Sequence, residues 1–414
     1  MKMRPFGKLT SPTIAVERLL AAAHPITEAE RLPLDGSVGR VAARTHRAPR
    51  DVPSFARATW DGYALASRDT RAATASRPAQ LRVVGELFAE QAFPRPLRSG
   101  EAIAIATGAP VPRGTDSVLI FEEARLHGDR LIVDHPVRAG DRIARPGEDF
   151  PRGAALMAQN ALVTPAGLGA LAAAGFREVT VYRRPSVAIV PNGNELVSPG
   201  SPLGAGQIYE SNNTLLSAFL SSSGAEPHPF PPVPDDPVAI ERTVRRALRA
   251  HDLVLVTGGS SVGEHDFLPA IFPRLGRLLF HGISVRPGKP TLATSVGSRL
   301  VIGLPGHPTS CLANCFWLLR PVLRKLGHFS GPGTVPLSVR LAEACPVNPS
   351  TFSTVLPLRI QGGRAWTTFK GSSAITSLTP ANGFAMLPPG TRSFRRGDPL
   401  KVHLLIPPVA PLPG

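Results

Sequence analysis

The stretch VLVTGGSSVGEHD, residues 254–266, runs from an apolar segment into a glycine and serine turn and ends on two acids. Glycines at 258, 259 and 263 permit backbone conformations and close approaches that other residues resist, which suits a loop whose amides surround an anion. Glu264 and Asp266 would repel a bare phosphate, so the loop calls for a cation, a proton or a positive partner between the charges. A buried strand emptying into such a turn is the local order of an open α/β sheet, where ligands lie beyond the carboxyl ends of the strands.

Working outward, the segment from about 183 to 330 alternates apolar strands with helical stretches. VAIVPNG opens the series, and NTLLSAFLSSSGA and DPVAIERTVRRALRAHD read as helices. SCLANCFWLLRPVLRKLG reads as a final helical region that Pro321 breaks or kinks. This is an α/β domain over 183–330. Upstream, residues 13–25 look helical, and 51–146 form a β-rich insertion with candidate strands LRVVGEL, EAIAIA and SVLIF. Residues 164–175 read as a helix ending at Gly175 before the strand EVTVY, so 1–50 and 147–182 form one discontinuous, mixed N-terminal region. After 331, VPLSVRLAE, STFSTVLPLRI, RAWTTFK and NGFAMLPP give a small β domain to 407, followed by a loose tail at 408–414.

The composition, 43% hydrophobic over 414 residues, supports several buried cores. A net charge of +16 favours an anionic substrate or nucleic acid. The basic residues are scattered, without a long basic tail or an interleaved aromatic platform, and this argues against nucleic acid. Three cysteines without paired CxxC groups exclude a disulfide scaffold and a structural zinc site of that type. No signal core or sufficiently long apolar run appears, so the expected location is the cytoplasm, without a membrane partner.

The chemistry-bearing residues gather on strand-exit loops: PNGNELVSPG at 191–200, VPDDP at 233–237, TGGSSVGEHD at 257–266, SVRPGKPT at 284–291 and GLPGHPTS at 303–310. Glu195, Asp235, Asp236, Glu264 and Asp266 offer hard oxygen ligands suited to Mg2+; the alternative is that such acids cap helices. Arg286 and Lys289 bracket a Pro-Gly pair and fit a tetrahedral anion, or form a rigid turn with surface cations. Gly258, Gly259, Ser260, Ser261, Gly263, Pro305 and Gly306 are candidate phosphate or cofactor contacts. Further upstream, Asp61 in WDGYA and Thr107 and Gly108 in ATGAP could position a substrate or bind an anion, and Asp149 in GEDF is a candidate acid or a tight-turn residue.

The ordered set WDGYA, ATGAPVPRGTDSV, RPGEDF, NGNELVSPG, GQIYESN, PDDP, TGGSSVGEHD, RPGKP and GLPGHPTS resembles the molybdopterin molybdenumtransferases, the MoeA family, including the gephyrin-type metal-insertion domain. The resemblance spans about residues 13–407. It implies an α/β domain similar to molybdopterin-binding domains, a C-terminal β-barrel-like domain and a homodimer. In that dimer the N-terminal region of one subunit completes the cleft of the other. It further implies Mg-dependent conversion of adenylylated molybdopterin and molybdate into molybdenum cofactor and AMP. Molybdopterin adenylyltransferase and molybdoenzyme-delivery proteins are the implied partners.

Carried onto this chain, the implied catalytic residues are Asp61, Asp149, Glu195, Asp235 and Asp266, with Glu195 and Asp266 at the metal. Thr107, Gly108, Gly258, Gly259, Ser260, Ser261, Gly263, Arg286, Lys289, Pro305, Gly306 and Ser377 are the implied binding residues. The chain departs from the family pattern: NGNE stands for TGDE, RPGKP for KPGKP and PGHP for PGNP, with Gly282 and Ser353 where lysine and arginine are common. These changes bear on the choice between molybdate and tungstate, and on a second reading as a catalytically weak pterin-binding or scaffold protein. A third reading is a different nucleotide-processing enzyme on the same α/β domain.

Overall fold

The computed structural model describes residues 7–261, 266–331, 333–334, 336–347 and 350–404. Its central layer is a six-stranded sheet in the spatial order Glu226–Pro229, Ser186–Pro191, Leu253–Thr257, Arg299–Leu304, Leu292–Val296 and Arg277–His281. The first four strands are parallel, and the last two run antiparallel to their neighbours. The three inner parallel strands, Ser186–Pro191, Leu253–Thr257 and Arg299–Leu304, are apolar on both faces because helices cover both, while the edge strand Glu226–Pro229 is polar and partly exposed. Ile189, Leu255 and Ile302 point to the side of Asn212–Ser222 and the helical run from Pro308. Val190, Val254 and Val301 point to the side of Pro237–Ala250 and Leu268–Leu275.

Register aligns the strand ends: Pro191 pairs with Thr257, and Thr257 with Leu304. Three exit loops therefore leave the sheet side by side. Asp236 accepts from the N–H groups of Val238 and Ala239 and so caps the helix Pro237–Ala250, which is the capping alternative for that acid.

The sequence reading places a break or kink at Pro321. The helix does not break there but is irregular: Pro308–Asn314 is α-helical, Cys315–Leu319 is a π turn, and Arg320–Leu326 is α-helical again. Proline lacks the N–H and its ring crowds the carbonyl four residues earlier, so the wider turn just before it absorbs the conflict.

The C-terminal strands form a closed barrel. Ser353–Gln361, Arg364–Thr367, Pro336–Leu341, Pro399–Leu404 and Gly383–Leu387 pair in that order, and the last returns to the first. Closure leaves no free strand edge among these five. The strand Pro399–Leu404, PLKVHL, last of the five in the chain, is not among the sequence candidates, although its Leu400 and Val402 alternate into the core with Leu358 and Ala385.

Upstream, a second six-stranded sheet runs Ser117–Ile120, Gly62–Leu65, Glu101–Ile105, Ala79–Leu87, Arg130–Val133 and Arg125–His127. Ala29–Pro33 pairs antiparallel with Glu178–Tyr182, joining segments on either side of it in sequence. Among the described residues no helix is long and apolar enough to cross a membrane.

Candidate active site

Asn192, the first residue beyond its strand, is buried and joins three loops. Its backbone N–H donates to Thr257 O at 2.9 Å, and its side-chain Nδ2 donates to Asp235 Oδ1 at 2.6 Å. A carboxylate partner fixes which end of the amide faces it, so Asn192 Oδ1 turns toward the glycine turn. A side chain at Gly258 would put its Cβ 2.4 Å from Asn192 O, and one at Gly259 would lie 2.7 Å from Asn192 Oδ1. Both glycines also have positive φ, +89° and +59°. Positions 258 and 259 are therefore glycine because Asn192 fills the side-chain space.

Asp235 is held on both oxygens. Asn194 N–H donates to its Oδ2 at 3.2 Å, and Asp235 N–H donates back to Asn194 Oδ1 at 3.0 Å. Glu195 is exposed, and its Oε2 lies 2.6 Å from the place a Cβ on Gly193 would take, so the carboxylate folds back over that glycine. Asp266 Oδ1 accepts from Ser261 N–H at 2.9 Å, closing the turn on itself. Ser260 is buried, its hydroxyl donating to Leu304 O at 3.4 Å. Gly258 N–H donates to the same carbonyl at 3.2 Å. Gly263 and Glu264 lie outside the described residues.

Pro305 is buried at the third strand exit, and the exposed Gly306 approaches Gly258 so closely that a Cβ on it would touch Gly258 Cα at 3.5 Å. Asn212 Nδ2 donates to Gly306 O at 2.8 Å, tying the ESN motif to this loop. Glu210, two residues earlier, is buried and accepts from the N–H groups of Asn212 and Asn213 at the start of their helix. Burial raises its pKa, opposed by those two donors.

The RPGKP loop is clamped from behind. Asn314 is fully buried and donates Nδ2 to Thr291 Oγ1 at 2.7 Å and to Gly288 O at 3.2 Å, while Trp317 Nε1 donates to its Oδ1 at 3.1 Å. Gly288 has φ of +117°, and a Cβ there would meet Asn314 Oδ1 at 2.4 Å. The exposed Arg286 guanidinium stacks over Phe352 at 4.7 Å, and Val285–Arg286 pairs in parallel with Ser353 and Thr354. Ser353 thus stands in the strand beside Arg286, while Lys289 is half-buried in the same loop.

Ser377 is fully buried. Its hydroxyl accepts from Lys370 N–H at 2.9 Å and donates to Gly371 O at 3.5 Å, so it is engaged within its own turn. The neighbouring Ala374 carbonyl accepts from Thr309 Oγ1 at 2.8 Å, which seats this barrel loop on the helix after Gly306.

Asp61 and Thr107 form a second constellation on the N-terminal sheet. Asp61 Oδ1 accepts from Thr107 N–H at 2.7 Å and from its hydroxyl at 2.9 Å. These two bonds hold the Asp61 carboxyl below its ordinary range. Gly108, at φ of +86°, donates its N–H to Ala58 O at 2.8 Å. Asp149 is exposed, with its backbone N–H on Val52 O at 3.1 Å. Arg57–Ala58, just before Asp61, pairs antiparallel with Ile143–Ala144, just before Asp149, and ties the two loops together.

Two groups therefore emerge: Asp61, Thr107, Gly108 and Asp149 on the N-terminal side, and Asn192, Glu195, Asp235, the 258–261 turn, Asp266 and Gly306 at the sheet's strand ends. Sequence reasoning missed the linking roles of Asn192, Asn212 and Asn314, and it missed His281. Burial lowers the pKa of that half-buried imidazole, against the pull of the Asp266 charge and the Ser260 backbone.

No set of three or more His, Cys, Asp or Glu side chains suited to a metal ion occurs among the described residues. Glu195 and Asp266 each supply a hard carboxylate donor of the type Mg2+ takes, usually one or two per ion with water and substrate phosphate oxygens in its remaining positions. The donor set suits a cation shared with a phosphorylated ligand rather than a protein-only cage.

Residues 10–175 match the MoeA N-terminal region (domain I and II), residues 188–325 a probable molybdopterin binding domain, and residues 342–405 the MoeA C-terminal region (domain IV). A molybdopterin molybdenumtransferase of Synechococcus elongatus is 33% identical over 406 residues, covering 96% of this chain and 100% of the relative. That of Bacillus subtilis is 31% identical over 387 residues, covering 91% and 90%. The crystal structure of a molybdopterin biosynthesis MoeA protein from Pyrococcus horikosii superposes with a TM-score of 0.85 at 32% identity, covering 96% of this chain and 99% of that one. With these matches running through all three regions and the strand-exit loops in register, the chain belongs to the molybdopterin molybdenumtransferase (MoeA) family of enzymes.

Proposed function

We propose that the protein transfers molybdenum from molybdate to molybdopterin, which it takes in adenylylated form, and releases AMP. The observation that carries this reading is the convergence of three aligned strand ends on the Asn192–Asp235 pair beside an open glycine turn. Such a crevice at strand C-terminal ends is where an open α/β sheet binds ligands.

The glycine turn from Gly258 to Ser261 offers backbone approach to the phosphate-bearing end of the substrate. Asp235, restrained on both oxygens, fixes the spacing of its own loop and the NGNE loop. Glu195 and Asp266 are the residues that would hold Mg2+, whose charge, when bound, would offset the negative charge of the phosphoanhydride being cleaved. Arg286 and Lys289 present cations to the oxyanion, and Asn314 keeps their loop in shape. Ser377 contributes by shaping the turn that seats on Thr309, since its hydroxyl is engaged there.

Asp61, Thr107, Gly108 and Asp149 act from the partner subunit of a homodimer, positioning water and reactants at the cleft. The division of labour follows the division of the chain: 1–50 with 147–182 for dimerisation, the 51–146 insertion, the 183–330 catalytic domain and the 331–407 barrel. A molybdopterin adenylyltransferase supplies the substrate, and a delivery protein or molybdoenzyme takes the product.

A second reading, a catalytically weak pterin-binding protein, draws support from Asn194. It stands in the loop position where the family carries an acid, and its amide is occupied by Asp235 N–H. Anaerobic turnover with adenylylated molybdopterin, Mg2+ and molybdate or tungstate separates the readings. The transferase releases AMP and forms metal-bearing product together; a scaffold binds the substrate and does neither.

A further inference from the structure

The helix Pro237–Ala250 buries Ile240, Val244, Ala247 and Leu248 against the sheet, which fixes its opposite face toward solvent. That face carries Arg242, Arg245, Arg246 and Arg249, all exposed, and Arg274 joins them from the helix packed alongside. The four arginines on one helix, at i,i+3 and i,i+4 spacings, repel one another, so intrinsic helix stability does not explain them. One acid, Glu241, stands among them; its Oε1 accepts from Arg245 at 2.8 Å and its Oε2 from Arg274 at 2.8 Å. Among the described residues, Arg242 and Arg249 have no acidic partner, and Arg246 lies over the Phe230 ring at 5.2 Å.

These side chains line a groove of about 570 Å3. Arg242 and Arg246 also line a second groove of about 350 Å3 along Phe230–Pro234, the segment that leads directly to Asp235. A partner lying in the two grooves reaches the lip of the strand-exit cleft without covering it. Val238, 70% exposed at the start of the same helix, adds an apolar contact point.

The geometry points to a docking surface for an acidic protein segment, bound through its carboxylates by Arg242, Arg246 and Arg249. On the same face Arg245 and Arg274 already engage the Glu241 carboxylate, the kind of partner for which the guanidinium fork is suited, which leaves Arg242, Arg246 and Arg249 for the segment's carboxylates. A continuous phosphate strand is disfavoured, because Glu241 lies in its path and Arg246 covers the aromatic ring that could stack a base. A second copy of this strongly basic chain brings the wrong charge. The surface serves an encounter with another protein at the cleft's edge, and nothing in the turnover of isolated enzyme requires it.

The test uses full-length protein and a fluorescent twelve-residue oligoglutamate. The comparison probes are a labelled oligoglutamine, a single-stranded oligonucleotide and vesicles of anionic phospholipid. The triple variant Arg242→Glu, Arg246→Glu and Arg249→Glu is compared with the same charge change at the exposed Arg71, Arg77 and Arg113, each checked for fold by circular dichroism. The proposal expects oligoglutamate affinity to fall at least tenfold in the helix variant and less than threefold in the control, with AMP release unchanged in both. Equal losses in the two variants would reduce the effect to net charge and overturn the proposal. So would tighter binding of the oligonucleotide or vesicles, lost in the helix variant alone, because the occupant would then be of another class.

Discussion

Asn192 and Asp235 are joined at 2.6 Å across two strand-exit loops, and the same asparagine occupies the space a side chain at Gly258 or Gly259 would need. One buried residue thereby sets both the position of a candidate catalytic acid and the shape of the turn proposed to receive phosphate. Replacing it should separate binding geometry from fold. A hydrogen bond to a charged group contributes about 1.5–3 kcal/mol, so Asn192→Ala should lower turnover by roughly tenfold or more. Asn192→Asp should be worse, because a second carboxylate then faces Asp235. Steady-state AMP release with thermal melts on the same samples checks both; a fully active Asn192→Asp variant contradicts the role.

Gly258→Ala meets two obstacles, a positive φ and a contact 2.4 Å from a backbone oxygen that cannot rotate away. A cost of about 1–3 kcal/mol for the strained conformation is expected, with further loss from the displaced loop. The thermal midpoint should drop by several degrees, and turnover should fall more than stability does. Gly297→Ala, with φ of +60° and nothing near its Cβ position, measures the conformational part alone.

Asn314 tests whether the RPGKP loop binds the oxyanion. Asn314→Ala removes two donors from the loop and leaves Trp317 Nε1 without its acceptor, a change of about 2–4 kcal/mol in stability. If Arg286 and Lys289 hold the oxyanion, the apparent affinity for molybdate should weaken at temperatures where the variant is fully folded. Titration of molybdate at fixed pterin substrate is the measurement, and unchanged affinity removes the loop from oxyanion binding.

Stability should fall with acid in two windows. Burial holds the imidazoles of His46, His251 and His403 below the ordinary 6.5, so the folded state binds fewer protons than the unfolded one. Their contribution is complete above that value and is lost as pH falls through the lower folded values. Glu101, held down to about 2 chiefly by Arg95 and then by the Arg98 backbone, adds a second loss between its ordinary 4.5 and about 2. Thermal melts from pH 7.5 to 3 should show both, and His251→Gln should flatten part of the upper one.

Much of the fold was legible because local pattern and burial agreed. LVLVT is apolar on both faces and ends in glycines, and it is a central parallel strand with its turn at the ligand end. PLKVHL was missed because a short strand after a proline gives weak periodicity, and its place is set by Leu400 and Val402 meeting residues far away in sequence. The antiparallel strands Arg277–His281 and Leu292–Val296 are hidden for a similar reason, since each is short and its place is set by pairing across the RPGKP loop and with Arg299–Leu304.

At the site, acids and glycines stood out by residue type, whereas Asn192, Asn212 and Asn314 act through partners distant in the chain. An asparagine has no chemical signature until its partners are known. Ser377 shows the reverse: a plausible oxyanion donor by position, it lies buried with its hydroxyl committed to Lys370 and Gly371.

The measurement that bears most directly on the central claim is anaerobic turnover of purified adenylylated molybdopterin, with AMP and metal-bearing product followed together. The wild-type protein should release AMP only with Mg2+ present and form product in step when molybdate is added. Asp266→Asn should reduce both at least a hundredfold while retaining pterin binding. Folded wild-type protein that binds the substrate yet yields neither AMP nor metallated product would contradict the account.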